Sequence, residues 1–279
     1  MANPFSYEGK RVVVTGGGGA GMGAATVVGL NEMGAEIHVI DLKDAPIDVA
    51  SHQNVDLRDP DATAAAIDEI GGTIHALFNC AGLPGSPKTS DVDTMLVNFA
   101  AMRHLAELCA DRMTEGGAIC SISSGAGMGY LQQIEKWMPL MQTQGFAGAK
   151  KWCEENPDAI ASGYAPSKEA IILWTHYAAL PLAKRDIRVN VISPGPTDTP
   201  MMPAFEEHSG KELVDTFTLG AGRRSRPEEQ AYPMIFLNSD AASYITGENL
   251  NTDGGMFGAI LSGQINLEEL FAGFFPETA

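Results

Sequence analysis

The sequence predicts an α/β fold of Rossmann type: a doubly wound parallel sheet of about seven strands with helices on both faces. Two observations carry it. Short apolar runs alternate with longer helical patterns along the chain, and the first run, Arg11–Thr15, breaks into glycines before a helix. The length, 279 residues, suits one domain over 1–279. Apolar residues at 44% and charged residues at 19% exclude a disordered chain.

In order, the pattern gives a helix over 21–33, a strand over 36–40 ending at Asp41, a short strand over 53–56 and a helix over 61–70. A strand over 74–79, a long helix over 91–113 and a strand over 118–123 follow. A helix over 163–183, a strand over 187–192, a last regular helix over 227–238 and a short strand over 249–251 complete it. Helices between buried runs imply parallel strands covered on both sides. Two segments stand apart. An insert over 127–162 carries Tyr130, Trp137, Met138, Met141, Phe146 and Trp152, and a tail over 256–279 carries Phe257, Phe271, Phe274 and Phe275. Such aromatics serve a core, an interface or an apolar pocket.

The charge, 18 − 35 = −17, repels phosphodiesters and anionic lipid, so neither nucleic acid nor a membrane is an expected partner. Cys80, Cys109, Cys120 and Cys153 have no metal-knuckle spacing, and the six histidines form no HExxH pair, so no metal site is expected. No apolar run reaches the ~18 residues of a spanning helix, and no signal-like apolar segment opens the sequence. A cytoplasmic location is expected.

The glycine run Gly16–Gly23, with Gly17, Gly21, Met22 and Gly23, leaves a strand and opens a helix. Glycines there allow a tight turn and close approach of a pyrophosphate, which the helix N-terminus favours. Asp41 follows Gly21 by 20 residues, where a carboxylate accepts ribose hydroxyls and repels a 2′-phosphate. Leu42 follows it, and Lys43 is the nearby cation, so NAD is expected over NADP. Asp56 and Leu57 end the third strand, where they would meet the adenine; the alternative for Asp56 alone is a helix-initiating Asp-rich turn with Asp59 and Asp61. Asn79, Cys80, Ala81 and Gly82 end the fourth strand, where small residues let backbone lie along a cofactor.

Tyr164 and Lys168, four apart at the start of a long helix, share a face. A cation near a tyrosine favours the phenolate and would lower its pKa from about 10. Ser124 ends the fifth strand, where its hydroxyl would hold a substrate oxygen. Asn98 is polar within an apolar helical stretch, either an exposed position or a structural or relay residue.

In this order these residues resemble the short-chain dehydrogenase/reductase family over about 9–255, with 194–199, Gly247 and 253–255 continuing the match. The resemblance implies a tetrad of Asn98, Ser124, Tyr164 and Lys168. Tyr164 would be the acid or base on an alcohol or ketone oxygen, Ser124 would orient that oxygen, and Lys168 would hold the nicotinamide ribose. Asn98 would hold a water linking Lys168 to solvent. Pro194 lies beside the cofactor, and Thr197 and Thr199 match positions that anchor the carboxamide. The glycine loop is one residue longer than the family's usual form. Ser124 and Tyr164 stand 40 positions apart, similar to the long-insert subgroup of 3α-hydroxysteroid dehydrogenase/carbonyl reductases and coniferyl alcohol dehydrogenases. The implied protein is a homodimer or homotetramer.

The insert, residues 199–223 and the tail are expected to surround the nicotinamide end. Met201, Met202, Phe205 and Phe217 there suggest an apolar pocket for a hydrophobic secondary alcohol or ketone, steroid-like or aromatic. Two rivals exist. A sugar-nucleotide epimerase or dehydratase would carry a larger C-terminal part than the 24 residues after Gly255. A non-catalytic NAD-binding regulator would have no need of Tyr164.

Overall fold

A computed structural model describes residues 3–86 and 88–272. Phe274 and Phe275 lie outside them, as does the side chain of Phe271. The strands are β1 (Arg11–Thr15), β2 (Glu36–Ile40), β3 (Ser51–Gln53), β4 (Ala76–Asn79), β5 (Gly117–Ile122), β6 (Ile187–Pro194) and β7 (Asn249–Thr252). They form one sheet of seven in the order β3-β2-β1-β4-β5-β6-β7. Every pair is parallel. The chain winds from β1 outward to β3, then crosses to β4 on the other side of β1. The crevice between the C-terminal ends of β1 and β4 is thus the switch point where such sheets bind ligands.

Alternate strand residues face opposite ways. Val13, Leu77, Ile119, Val189 and Val191 meet the helices Pro60–Ile70, Met102–Ala110 and Tyr164–Ala183. Val12, Val14, Phe78, Cys120 and Ile192 meet the helices Met22–Glu32 and Pro227–Asn238. This two-sided burial is why the strands read as continuous apolar runs.

Three expectations are corrected. The third strand is Ser51–Gln53 rather than 53–56, because it pairs only with His38–Ile40 and ends where β2 ends. The long helix over 91–113 is three segments, Asp91–Met95, a π-helical Leu96–Ala101 and Met102–Ala110. The helix over 227–238 is not the last, since short helices at Met256–Leu261 and Leu267–Ala272 follow.

The insert folds as a 3₁₀ segment (Gly125–Gln133) and two helices, Ile134–Met141 and Gly145–Glu155. Trp137, Leu140, Met141, Phe146, Ala149 and Cys153 are buried and join the main core. Its aromatics are therefore largely core rather than pocket. Arg103 holds the corner between the two helices. It is 1% exposed, and its guanidinium donates to the carbonyls of Leu140, Thr143 and Gly145 and to the Thr143 hydroxyl. A second tie is the Trp137 indole N–H, which donates to Glu169 Oε2 at 2.8 Å.

Arg103→Leu removes the donor from several buried carbonyls at once. Urea unfolding is expected to show a loss of roughly 3 kcal/mol, and limited proteolysis to open first at 142–145.

Candidate active site

The crevice begins at Gly16, whose φ of +67° suits glycine. A Cβ there would press on the backbone of Ala81. Gly23 packs as closely on the Gly16 carbonyl, so the Met22–Glu32 helix starts directly against β1. Gly21 caps that helix and faces open space. The N-terminal amides around Gly21, Met22 and Gly23 present the positive end of the helix to the crevice. Gly17 is a packing position, its α-carbon turned toward Val14, Val27 and Val39.

Asp41 stands at the end of β2 and ties this loop down. Its Oδ2 accepts from the Gly18 amide at 2.8 Å and its Oδ1 from the Lys43 amide at 2.9 Å. Gly19 donates to the Asp44 carbonyl. A carboxylate oxygen accepts more than one hydrogen bond, so Asp41 keeps capacity for a ribose hydroxyl. Open space at Gly21 beside a helix terminus, with this carboxylate behind it, fits an adenosine diphosphate group. Leu42 is exposed.

Asp56 is not among the residues that line the cavity described below. It lies past β3, its carboxylate clamps Arg58 at 2.6 Å, and its carbonyl accepts from the Asp59 amide. The Arg58 guanidinium holds the Asp56 carboxyl below the usual range. Asp59 is the cap of the following helix. Leu57 is a core residue. Asp56 thus stands in a turn with Asp59, and Leu57 packs in the core. Asn79 is buried under the sheet, its amide donating to Ser121 Oγ and toward the Met102 carbonyl. Cys80, Ala81 and Gly82 do line the cavity.

That cavity measures about 520 Å³ and lies beyond the crevice. Ser124, Tyr164 and Lys168 line it together, as do Pro194, Thr197 and Thr199. Met201, Met202, Phe205 and Phe217, from the helices Met202–Ser209 and Lys211–Thr216 and their flanks, make an apolar side. The insert adds Met128 and Gly129, and the tail adds Met256 and Leu267. Arg224 fastens the two covering helices together, with Glu206 at 2.7 Å and Asp215 at 2.5 Å.

Tyr164 opens its helix after two left-handed residues, Ser162 (φ +75°) and Gly163 (φ +58°). Their turn sets the ring edge-on to Phe205, centroids 4.9 Å apart. Lys168 is 5% exposed; its Nζ donates to the Ile122 carbonyl at 3.0 Å and lies 5.4 Å from the Tyr164 ring centre. Burial pushes its pKa down to about 8. Burial also raises the Tyr164 phenol, while a hydrogen bond from Ser124 pulls it down. The expected lowering of Tyr164 by Lys168 is thus not met: the ammonium sits by the ring and spends a proton on the Ile122 carbonyl.

Asn98 falls in the π-helical segment, a feature frequent at functional sites. Its Oδ1 accepts from the Leu83 amide at 2.7 Å, and its Nδ2 donates to the Leu83 carbonyl and to Ser167 Oγ, each at 3.0 Å. The side chain is a buried staple, not an exposed helix position. A Cβ on Gly82 would come within 3.3 Å of Asn98 Oδ1 and 3.9 Å of Lys168 Nζ. Sequence reading missed Ser123, whose hydroxyl donates to the Lys168 carbonyl at 2.8 Å. It also missed Ser167, although it lies inside the Tyr164–Lys168 spacing. Among the described residues no group of His, Cys, Asp and Glu could hold a metal, and no helix is long and apolar enough to cross a membrane.

The family described as short chain dehydrogenase matches residues 10–135, and that described as Enoyl-(Acyl carrier protein) reductase matches residues 148–257. A coniferyl-alcohol dehydrogenase of a Pseudomonas species is 29% identical over 88% of this chain and 96% of its own. A cis-4-hydroxycyclohexanecarboxylate dehydrogenase of Sinomonas cyclohexanicum is 30% identical over the same shares. Among solved structures, a 3-alpha-hydroxysteroid dehydrogenase of a Pseudomonas species complexed with NADH is similar at a TM-score of 0.74 and 27% identity, covering 92% of this chain and 100% of that one. A short chain dehydrogenase of Burkholderia cenocepacia in complex with NADP follows at 0.69 and 28%, covering 90% and 99%. With the sheet order and the site already described, these likenesses place the chain in the short-chain dehydrogenase/reductase family, as an oxidoreductase of alcohols and ketones that uses a nicotinamide cofactor.

Proposed function

We propose that this protein interconverts a hydrophobic secondary alcohol, steroid-like or aromatic, and its ketone, with NAD as the hydride carrier. The observation that carries the reading is the convergence of Ser124, Tyr164 and Lys168 on one largely apolar cavity that opens from the Gly21–Gly23 helix terminus. The amides of that terminus bind the pyrophosphate, and Asp41 accepts the adenosine ribose hydroxyls and disfavours a 2′-phosphate. Lys168 hydrogen-bonds the nicotinamide ribose, and Thr197 and Thr199 hold the carboxamide beside Pro194. A nicotinamide bound there supplies or takes the hydride.

Ser124 then holds the substrate oxygen against Tyr164, and Tyr164 gives that oxygen a proton or removes one. Burial raises the phenol, so the base form needs Lys168 to turn its charge toward the hydroxyl. Asn98, locked to Leu83 and Ser167, holds the helix bend beside Lys168 and supports its link to solvent. Met201, Met202, Phe205 and Phe217 exclude water from the reacting oxygen. Free cysteines at 80, 109, 120 and 153 accord with a cytoplasmic setting. Exposed Tyr177 and Leu180 on the Tyr164–Ala183 helix accord with a homodimer or homotetramer.

An activity screen with NAD and NADP across steroid, aryl and aliphatic alcohols tests the reading; turnover confined to small polar polyols would overturn it. Tyr164→Phe is expected to lower kcat by about 10²–10⁴ while the Kd for NADH stays within about twofold. Asp41→Ser is expected to raise kcat/KM with NADP by roughly tenfold and to raise the KM for NAD, because the Gly18 amide loses its partner. Lys168→Met is expected to abolish activity yet raise stability at pH 7 by up to about 3 kcal/mol, less the loss at the Ile122 carbonyl. The folded pKa of about 8 lies below the ordinary 10.5, so the charged amine opposes folding at neutral pH. That penalty fades between pH 8 and 10.5, and the variant's advantage in thermal melts should shrink over the same window.

A further inference from the structure

The cavity wall holds a carboxylate that the proposed mechanism does not use. Among the described residues, three charged residues line the cavity: Lys168, Glu169 and Asp253. Lys168 Nζ is engaged by the Ile122 carbonyl. Asp253 serves its own turn, Oδ1 accepting from the Gly255 amide at 2.9 Å and Oδ2 from the Phe257 amide at 2.7 Å. Glu169 differs. Its Oε2 accepts from the Trp137 indole at 2.8 Å, and Oε1 has no hydrogen-bond or ion-pair partner among the described residues. The residue is half-buried, and Oε1 is not one of the sealed, unpartnered polar atoms, so it keeps an open face.

That face lies on the cavity wall. A Cβ on Gly129 would come within 2.9 Å of Oε1, and Gly129 and Glu169 both line the cavity. Trp137 is fully buried in the core and fixes the other oxygen. Five residues of helix separate Glu169 from Tyr164, a rise of about 7.5 Å, so a ligand group that reaches Oε1 is not the oxygen that meets Tyr164. An ionised carboxylate accepts hydrogen bonds and donates none. In a largely apolar wall it loses water when a ligand covers it, and that loss is offset only when the ligand brings a donor.

We propose that Glu169 is a specificity-determining residue: it selects a substrate that carries, besides the reacting carbinol or ketone, a second hydroxyl as hydrogen-bond donor, and it rejects an anionic group at that place. The inference rests on the alcohol–ketone function proposed above and names the class of substrate within it. A phenolic alcohol meets both the apolar wall and the acceptor, whereas an ether oxygen at the same place finds no partner.

Steady-state kinetics with four racemic alcohols test it: 1-phenylethanol and its 4-hydroxy, 4-methoxy and 4-carboxy derivatives, each with NAD and with NADP. Hydroxy and methoxy groups donate electrons to the ring similarly, so their comparison isolates the hydrogen-bond donor. The wild-type protein is expected to favour the 4-hydroxy over the 4-methoxy alcohol by at least about tenfold in kcat/KM, and 1-phenylethanol over the 4-carboxy alcohol by a similar factor. In Glu169→Leu the hydroxy-to-methoxy ratio should fall below about threefold. Glu169→Gln should lose it as well, and serves if Glu169→Leu fails to fold. The amide oxygen there must take the Trp137 proton, which leaves the NH₂ on the open side, and hydroxy and methoxy oxygens accept from it alike. The deficit of the 4-carboxy alcohol should shrink below about threefold in the same variant. A hydroxy-to-methoxy ratio near one in the wild type, or one retained in both variants, overturns the proposal. So does an equal loss for all four alcohols, which would mark Glu169 as structural. Turnover of none of the four by the wild type overturns the alcohol–ketone reading itself and this proposal with it.

Discussion

The constraint on which the rest depends is the burial of one ammonium. Lys168 sits almost out of water, and Ile122 at the end of β5 supplies the carbonyl that receives it. A buried charge survives only where its protons are matched. The surroundings follow from that need. A side chain at Gly82 would crowd Asn98 Oδ1. Ser123 ties the Lys168 carbonyl back to β5. Asn98 pins the Leu83 segment so that the wall on this side cannot open.

The same burial sets how the site can work. A fully exposed lysine would be charged at any physiological pH and would be screened by water, giving Tyr164 little help. With its pKa near 8, Lys168 is mostly charged at neutral pH yet weakly solvated. A change in its partners therefore shifts it by a large amount. One of its protons goes to the Ile122 carbonyl, and it lies 5.4 Å from the centre of the Tyr164 ring. Under the function proposed above, a ribose hydroxyl beside it would compete for those protons, so that cofactor binding and activation of the phenol would act on one side chain.

The sheet and its switch point were legible because they depend on local pattern. Apolar runs bounded by glycine and aspartate gave β1 and β2 to the residue. Where pattern is thin, position was lost. β3 contains no apolar alternation, only Ser51, His52 and Gln53, and its place comes from pairing with β2. Asp56 shows the same limit, since its pairing with Arg58 two residues away has no signal in spacing. The meeting of Ser124, Tyr164 and Lys168 at one cavity was legible from the order of residue types, but their electrostatics were not. Burial of Tyr164 and the carbonyl facing Lys168 depend on tertiary packing. The aromatics of 127–162 gave no sign that Arg103, far upstream, would hold their corner.

Asp41 joins cofactor choice to loop shape in a way that spacing alone does not convey. Its two oxygens are already engaged by Gly18 and Lys43, and Gly18 packs so tightly on the Lys43 carbonyl that no side chain fits between them. The longer glycine loop is therefore braced against the end of β2 rather than left free over the crevice. In the NAD reading proposed above, that carboxylate would stand where the ribose hydroxyls arrive, and swinging away to admit a 2′-phosphate would release two backbone amides. Repulsion and loop geometry would then act in the same direction.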